Sequence, residues 1–447
     1  MLDNIYKHDT MYYLQQEVIM NNKVEVLDAI MGSGKTTEIF KWIDSNPDYS
    51  YIYVSPMLTE VDTDGRIHQE VNNVEFHSPV SDNNRNKTED MNRLLAEGKS
   101  IACTHSLYLS MNNYSMDLIQ MGNYCVIFDE EINVMSDFKG YSVEDILWLE
   151  QEGYITRDEL DGSVIWNKED DLLENSEHSY SYFKNLCDKK SLYITRFDKN
   201  SSPDKKVMMI SQVPVRLLEC ASRVIAITYM FKGSVLDCFL KLKGFEIAPF
   251  TEVKVNNLKP SHYKDLLTLI PPDEKTKKLS LSASWWMNRA SSEDVKTVRN
   301  YILRNSRKYA GTPEKLSFTL PKERAKDLNK HKSTTTVNPI GFVYHKNENG
   351  EKVHNWISAQ TRATNKYSNK TTMVHCYNRF PLLTVSSYLQ DYKQPLNQDV
   401  FALSELLQWA FRGCLRKGEP MVLCCASQRM YDLADKWLND EFEIEEV

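Results

Sequence analysis

The sequence contains no run of eighteen apolar residues, which excludes a conventional membrane-spanning helix. Its most apolar short stretches, Val224 to Phe231 and Val422 to Ala426, have the length of buried strands. Met1 to Thr10 is polar and offers no apolar signal core, so a cytoplasmic protein without membrane partners is expected. Among nine cysteines there is no Cys-x-x-Cys pair, and no histidine stands at metal-ligand spacing. Free thiols in a reducing compartment are therefore expected rather than a zinc site or a disulfide framework. Short-period repeats and low-complexity tracts are also missing. Finally, the chain lacks an overall positive charge: 54 Lys+Arg face 62 Asp+Glu, a net −8. Taken alone, that disfavours a nucleic-acid binder.

The distribution of charge tells against that simple exclusion. Lys254 to Phe380 holds 24 basic and 10 acidic residues, a balance of +14, which leaves −22 for the rest. Such asymmetry confines any polyanion contact to one part of the chain, although a solvated lysine-rich surface would look the same. With 447 residues, 41% hydrophobic and 26% charged, the composition is that of an ordinary globular protein.

Strands alternate with helical segments from the start. A helix over Met11 to Met20 precedes a strand, Val24 to Ala29, then a Gly-rich turn entering a helix. Tyr51 to Ser55, Ser100 to Thr104 and Tyr124 to Phe128 read as further strands, a pattern that indicates βαβ units and a parallel sheet. An acidic, aromatic stretch at about 136–206, with a hairpin from Tyr154 to Trp166, reads as an insertion. Strand periodicity returns at Arg223 to Thr228. A Pro-containing linker is expected at 251–274, followed by a second α/β pattern with strands Lys278 to Ala283, Thr372 to Tyr377 and Met421 to Cys425. Lys308 to Lys352 reads as a basic, loop-rich excursion, and a long helix is expected from Ala402 to Cys414. The expected division is thus 1–250, 251–274 and 275–447.

Three motifs carry chemistry. Ala29-Ile-Met-Gly-Ser-Gly-Lys35-Thr36 follows a strand and opens a helix, the context of a phosphate-binding loop. Backbone N–H groups around Gly32 to Lys35 can wrap phosphates, Lys35 supplies a point charge, and the Thr36 hydroxyl suits Mg²⁺. Asp129-Glu130-Glu131 ends an apolar strand and would reach the same crevice, with Asp129 on Mg²⁺ and Glu130 polarising the attacking water. Gln408, Arg412 and Arg416 recur at four-residue spacing, so on a continuous helix they share one face and could clamp a γ-phosphate.

Motif order resembles a superfamily 2 (DExx-box) helicase, an α/β protein with two RecA-like P-loop lobes and, here, an insertion in the first. Tyr53-Val-Ser-Pro56 resembles motif Ia, Cys103-Thr-His105 the next strand-facing motif, and Thr228-Tyr-Met230 stands in the place of motif III. Arg362-Ala-Thr-Asn365 resembles motif V, and Gln408 to Arg416 motif VI. Together with Ala402 to Trp409 and Ser427 to Met430, these segments resemble helicase-like replication proteins of phages of Gram-positive bacteria. The resemblance implies an ATP hydrolase acting as a DNA helicase or translocase in phage replication, in the host cytoplasm, with ATP and Mg²⁺ as cofactors. An ATP-gated binding or loading factor without strand separation is the alternative. Nucleotide contacts are expected from Met31, Gly32, Ser33, Gly34, Lys35, Thr36 and Thr37, with Gln16 or Gln15 reading adenine. Single-stranded or forked nucleic acid, DNA before RNA, would touch Ser55, Pro56, Thr104, His105, Thr364, Asn365 and Lys366, and other replication proteins are further expected partners. Coupling would fall to Thr228, although the usual Ser-Ala-Thr is absent there. Arg416 also stands eight residues after Gln408, where the family pattern has seven. Trp285 and Trp286 read as core packing rather than as base-stacking groups.

Overall fold

In a computed structural model the chain forms two α/β lobes of the RecA-like kind, each built on a parallel sheet. The structure describes residues 21–82, 85–138, 141, 143–168, 180–194, 209–256, 258–325, 327–329, 344–346, 350–360, 367–445 and 447. The helix expected over Met11 to Met20 lies outside them.

The first sheet has seven strands in the spatial order Glu246–Pro249, Lys23–Asp28, Arg223–Thr228, Tyr124–Asp129, Ser50–Ser55, Ser100–Thr104 and Phe76–His77. All neighbouring pairs are parallel. Tyr124–Asp129 is buried along its whole length because helices cover both faces, which is why it reads as an unbroken apolar run. Alternation along each strand feeds two separate cores. Tyr51 and Tyr53 join Ile39, Phe40 and Ile43 of helix Lys35–Ser45 on one face, while Ile52 and Val54 join Met91, Leu94 and Leu95 of helix Lys87–Ala96 on the other. Parallel pairing brings the carboxyl ends of the strands to one edge, where Asp28 sits opposite Thr228 and Asp129 opposite Ile227.

Between Asp129 and Arg223 the chain leaves this sheet. Met135–Asp137, Met209–Gln212 and Leu192–Ile194 form a small antiparallel sheet, and the hairpin of Ile155–Arg157 with Val164–Trp166 forms as expected. These strands and the helices Val143–Gln151 and Ser181–Asp188 enclose an aromatic core around Phe183 and Tyr180.

The second sheet has four parallel strands in the order Leu267–Ile270, Met421–Cys425, Thr372–His375 and Leu316–Thr319. Two of these correct the sequence reading. Leu267–Ile270 lies inside the segment expected to be linker, because its prolines flank the strand rather than interrupt it: Pro260 opens a short 3₁₀ turn and Pro271 follows Ile270. Leu316–Thr319 lies inside the expected loop excursion, and all four of its residues are buried. Conversely, Lys278 to Ala283 is no strand. Leu281 takes a left-handed φ of 55°, and Ser282 caps the helix Ala283–Asn288. Trp286 of that helix is fully buried and donates to the Cys376 carbonyl at 3.1 Å, a core role. All nine cysteines are free and buried, and Cys424 and Cys425 face opposite cores of this sheet.

The lobes meet along several elements. Ile30 and Met230 of the first lobe belong to the core of the second. Helix Leu383–Asp391 packs Val385, Tyr388 and Leu389 into the first lobe's core, and the Tyr388 hydroxyl donates to the Asp161 carbonyl at 2.8 Å.

Candidate functional site

A cavity of about 430 Å³ opens at the carboxyl edge of the first sheet, between the lobes. From the first lobe it is lined by Met31, Gly32, Gly34, Lys35, Thr36 and Thr37, by Asp129 and Glu130, and by Thr228 and Tyr229. From the second come Gln408, Phe411, Arg412 and Arg416. Twelve of the residues expected in catalysis, nucleotide binding, metal holding or coupling therefore share one cavity. Ser33 is buried within the loop instead of lining it.

The loop takes its shape from its glycines. Gly32 and Gly34 have φ of 81° and 90°, a region costly for other residues, and this turns successive N–H groups toward the opening of helix Lys35–Ser45. The Lys35 ammonium folds under the loop and donates to the carbonyls of Ala29 and Ile30, the latter at 3.0 Å. Burial pulls its pKa down to about 8, against the opposing pull of Asp28, Asp129 and Glu130. Asp129 is fixed on both sides. The Tyr53 hydroxyl donates to Oδ2 at 2.7 Å, and the Thr36 hydroxyl lies 3.4 Å from Oδ1. Burial and the neighbouring Glu130 raise the Asp129 carboxyl above its ordinary range. A hydroxyl and a carboxylate oxygen side by side, at the mouth of a phosphate-type loop, are the hard donors that Mg²⁺ takes. The residues present fit a Mg²⁺-nucleotide.

Glu130 has a left-handed φ of 72°, unusual for a residue with a side chain, and its N–H is held by the Ile227 carbonyl at 3.0 Å. This conformation aims its carboxylate across the cleft. There Oε1 meets the Arg412 guanidinium at 3.0 Å, in a pair whose arginine side chain is only 6% exposed. The expected helix ends early: it runs Gln398–Ala410, and Arg412 and Arg416 lie beyond it. Just past that end, Gly413 has no room for a side chain. Its Cα packs so closely on Met373, Met421 and the Lys370 carbonyl that a Cβ would fall within 3 Å of each. Arg416 sits on a separate 3₁₀ turn, Cys414–Lys417. The face that was to align the two arginines does not exist; the turn brings both to the cavity instead. Gln408 remains on the helix and donates to Ser404 at 3.2 Å.

The residues expected to touch nucleic acid are less open. Ser55 is fully buried, and its hydroxyl accepts from the Met57 N–H at 3.4 Å; Pro56 is half-buried. Thr104 is occupied as a helix cap, accepting from the Leu107 N–H at 3.3 Å. His105 lies 3.2 Å from the Asp129 carbonyl, so it reaches the carboxyl edge of the first sheet rather than standing apart from it. Gln16 and the segment Thr364, Asn365 and Lys366 lie outside the described residues.

Sequence reasoning missed several groups. Asp28 accepts from the N–H groups of Met230 and Phe231, both at 2.8 Å, and so shapes the turn after Thr228. An acid ending the strand just before the loop was a visible signal for it. Glu60 and Arg66 also line the cavity, Arg66 donating to Thr37 at 2.9 Å. They sit on short helices, Leu58–Val61 and Arg66–Glu70, and no spacing marks them out. Tyr53 stands out in the sequence only as part of the segment that resembles motif Ia.

Comparisons with known proteins agree with this architecture. A family described as the YonV C-terminal Rossmann-like domain matches residues 261–438. A relative named SPbeta prophage-derived uncharacterized protein YonV, from Bacillus subtilis (strain 168), is 26% identical over 434 residues, covering 94% of this chain and 99% of its own. A solved structure titled XPD_APO superposes with a TM-score of 0.50 at 12% identity, covering 94% of this chain and 95% of that one. The likeness is one of fold, and it extends over both lobes. Among the described residues, no helix is long and apolar enough to cross a membrane.

Proposed function

We propose that the protein is an ATP-dependent nucleic-acid motor, a helicase or translocase that hydrolyses ATP between its lobes. The observation that carries this reading is the shared cavity. Lys35, Thr36, Asp129 and Glu130 approach it from one lobe and Gln408, Arg412 and Arg416 from the other, with Arg412 and Glu130 in contact across the cleft. A nucleotide bound there would feel both lobes, which is what a machine that converts hydrolysis into lobe movement requires.

The roles follow from position. The loop N–H groups and Lys35 bind the phosphates, and Thr36 and Asp129 hold Mg²⁺, which when bound neutralises charge on the transferred phosphoryl group. Lys35 gains a stronger partner than the two carbonyls it now meets. Arg412 acquires a polyanion to pair with and so releases Glu130. The freed Glu130 carboxylate orients the attacking water and takes its proton, while Arg412 and Arg416 stabilise the negative charge that builds in the transition state. Thr228, 5% exposed at the cavity wall, lies where lobe closure would be sensed.

Single-stranded DNA is the proposed track, contacted by the basic part of the chain, including Thr364, Asn365 and Lys366. The net charge of +14 from Lys254 to Phe380 supports this. A relative of nearly equal extent named as prophage-derived supports a phage setting, and genome replication is the role proposed within it. The test is ATP turnover of the full chain with and without single-stranded DNA or RNA, using Lys35→Ala as the inactive control. Strand binding should weaken steeply with salt, with a log–log slope of about 0.7 per neutralised phosphate. Turnover that Lys35→Ala leaves intact, or that no strand stimulates, would sink the proposal.

A further inference from the structure

We infer that the Tyr53 hydroxyl is a positioning group for the metal-holding carboxylate of Asp129. The inference rests on the nucleotide site proposed above and adds to it a residue that no motif assigns to catalysis.

The geometry is set by the sheet. Tyr53 lies in register with Ile127 on the adjacent parallel strand. Residues 127 and 129 face the same side of a strand, so a tyrosine ring lying beside Ile127 reaches along that face to the Asp129 side chain. Its hydroxyl meets Oδ2 at 2.7 Å and leaves Oδ1 turned toward Thr36. The ring cannot drift, because Tyr53 is fully buried and stands edge-on to Phe40 with centroids 5.3 Å apart. One carboxylate oxygen is thus committed to the protein and the other is presented beside the Thr36 hydroxyl. A carboxylate held this way gives up little rotational freedom when it takes a cation, and groups that orient metal ligands typically contribute 10–100-fold in affinity.

Tyr53 also fills the core, and the experiment separates the two roles. Mn²⁺ serves as the probe, with its binding to the full chain followed by electron paramagnetic resonance in the presence of a non-hydrolysable ATP analogue. Tyr53→Phe keeps the ring and removes only the hydroxyl. It should weaken Mn²⁺ binding by about 10–100-fold, leave analogue binding in EDTA unchanged, and raise the Mg²⁺ concentration needed for half-maximal turnover. Phe40→Leu loosens the same packing without touching the hydroxyl, so it should lower thermal stability while Mn²⁺ affinity stays within about twofold.

Equal Mn²⁺ affinity in Tyr53→Phe and wild type overturns the inference and leaves the proposed function standing. A Tyr53→Phe chain that fails to fold, or a Phe40→Leu chain that loses Mn²⁺ affinity as strongly, assigns Tyr53 to packing and also overturns it. A wild-type chain that binds no Mn²⁺-analogue removes the proposed nucleotide site and this inference together.

Discussion

Replacing Arg412 by alanine should separate two effects that the structure ties to one side chain. In the present state the guanidinium lies 3.0 Å from Glu130 Oε1, with side-chain exposures of 6% and 24%. Removing one partner of a buried pair costs about 3–5 kcal/mol, because the remaining charge is left without compensation. Glu130 is partly solvated and can draw on water, so about 2–3 kcal/mol is expected here. For one lobe, on the order of 200 residues unfolding as a unit, that corresponds to a fall in melting temperature of roughly 5–10 °C. Turnover should fall by ~10³ or more, because the arginine acts on charge that exists mainly in the transition state. Nucleotide affinity, which rests on the first lobe's loop, should survive.

The double variant Arg412→Ala with Glu130→Gln distinguishes the causes. Neutral glutamine needs no counter-charge, so stability should return toward wild type while turnover stays low. The assays are thermal unfolding, equilibrium binding of a fluorescent ATP analogue, and strand-stimulated phosphate release. Full stimulated turnover in Arg412→Ala would refute the trans-lobe role. Stability that Glu130→Gln does not restore would refute the ion pair as its source.

Two further changes test the frame around the site. Gly413→Ala places a Cβ within 3 Å of Met373, Met421 and the Lys370 carbonyl, so it should destabilise the second lobe by about 1–3 kcal/mol and reduce turnover by displacing both arginines; wild-type melting and turnover would show that the turn is pliable. His375 is fully buried, and burial together with Arg379 pulls its pKa down to about 3 from 6.5. The unfolded chain therefore takes up the extra proton as pH falls through 6.5, and stability drops with it by ~2 kcal/mol at pH 5, a loss that urea unfolding should detect and that His375→Phe should remove.

What was legible in the sequence was local. Gly32 to Thr36 between a strand and a helix, and Asp129-Glu130 at the end of an apolar run, identify themselves because the chemistry and its supporting element are contiguous. Contacts between distant segments left no such trace. The Arg412–Glu130 pair joins residues 282 positions apart, and the Tyr53–Asp129 bond depends on strand register. The four-residue spacing of Gln408, Arg412 and Arg416 misleads, since it presupposes a helix that in fact ends at Ala410. Proline was misread for a related reason: its effect depends on whether it falls within a strand or beside it, and Pro271 falls just beside Leu267–Ile270. A strand of four residues, such as Leu316–Thr319, is too short for alternation to stand out from its basic surroundings.

The missing Ser-Ala-Thr of motif III is the departure that bears most on the proposed motor, because Thr228-Tyr229-Met230 keeps one small hydroxyl side chain where that motif has two, and the Tyr229 hydroxyl is taken by the Trp437 indole N–H at 2.8 Å. The structure has a contact between the lobes at that place. Both carboxylate oxygens of Asp28 hold the turn after Thr228, through the N–H groups of Met230 and Phe231, and Met230 adopts a left-handed φ of 63°. That conformation, costly for a residue with a side chain, persists because the carboxylate fixes it from below. Its consequence is to direct the Met230 side chain into the second lobe's core, where it is 1% exposed, while Phe231 anchors in the first. Adjacent residues of one turn are thus buried in opposite lobes. A shift of one lobe against the other must either move this turn or empty a packed site, and Thr228 and Tyr229 of the same segment line the cavity between the lobes. If the proposed motor holds, this apolar packing braced by Asp28 would carry lobe movement to the cavity, because a close-packed interior transmits strain rather than absorbing it.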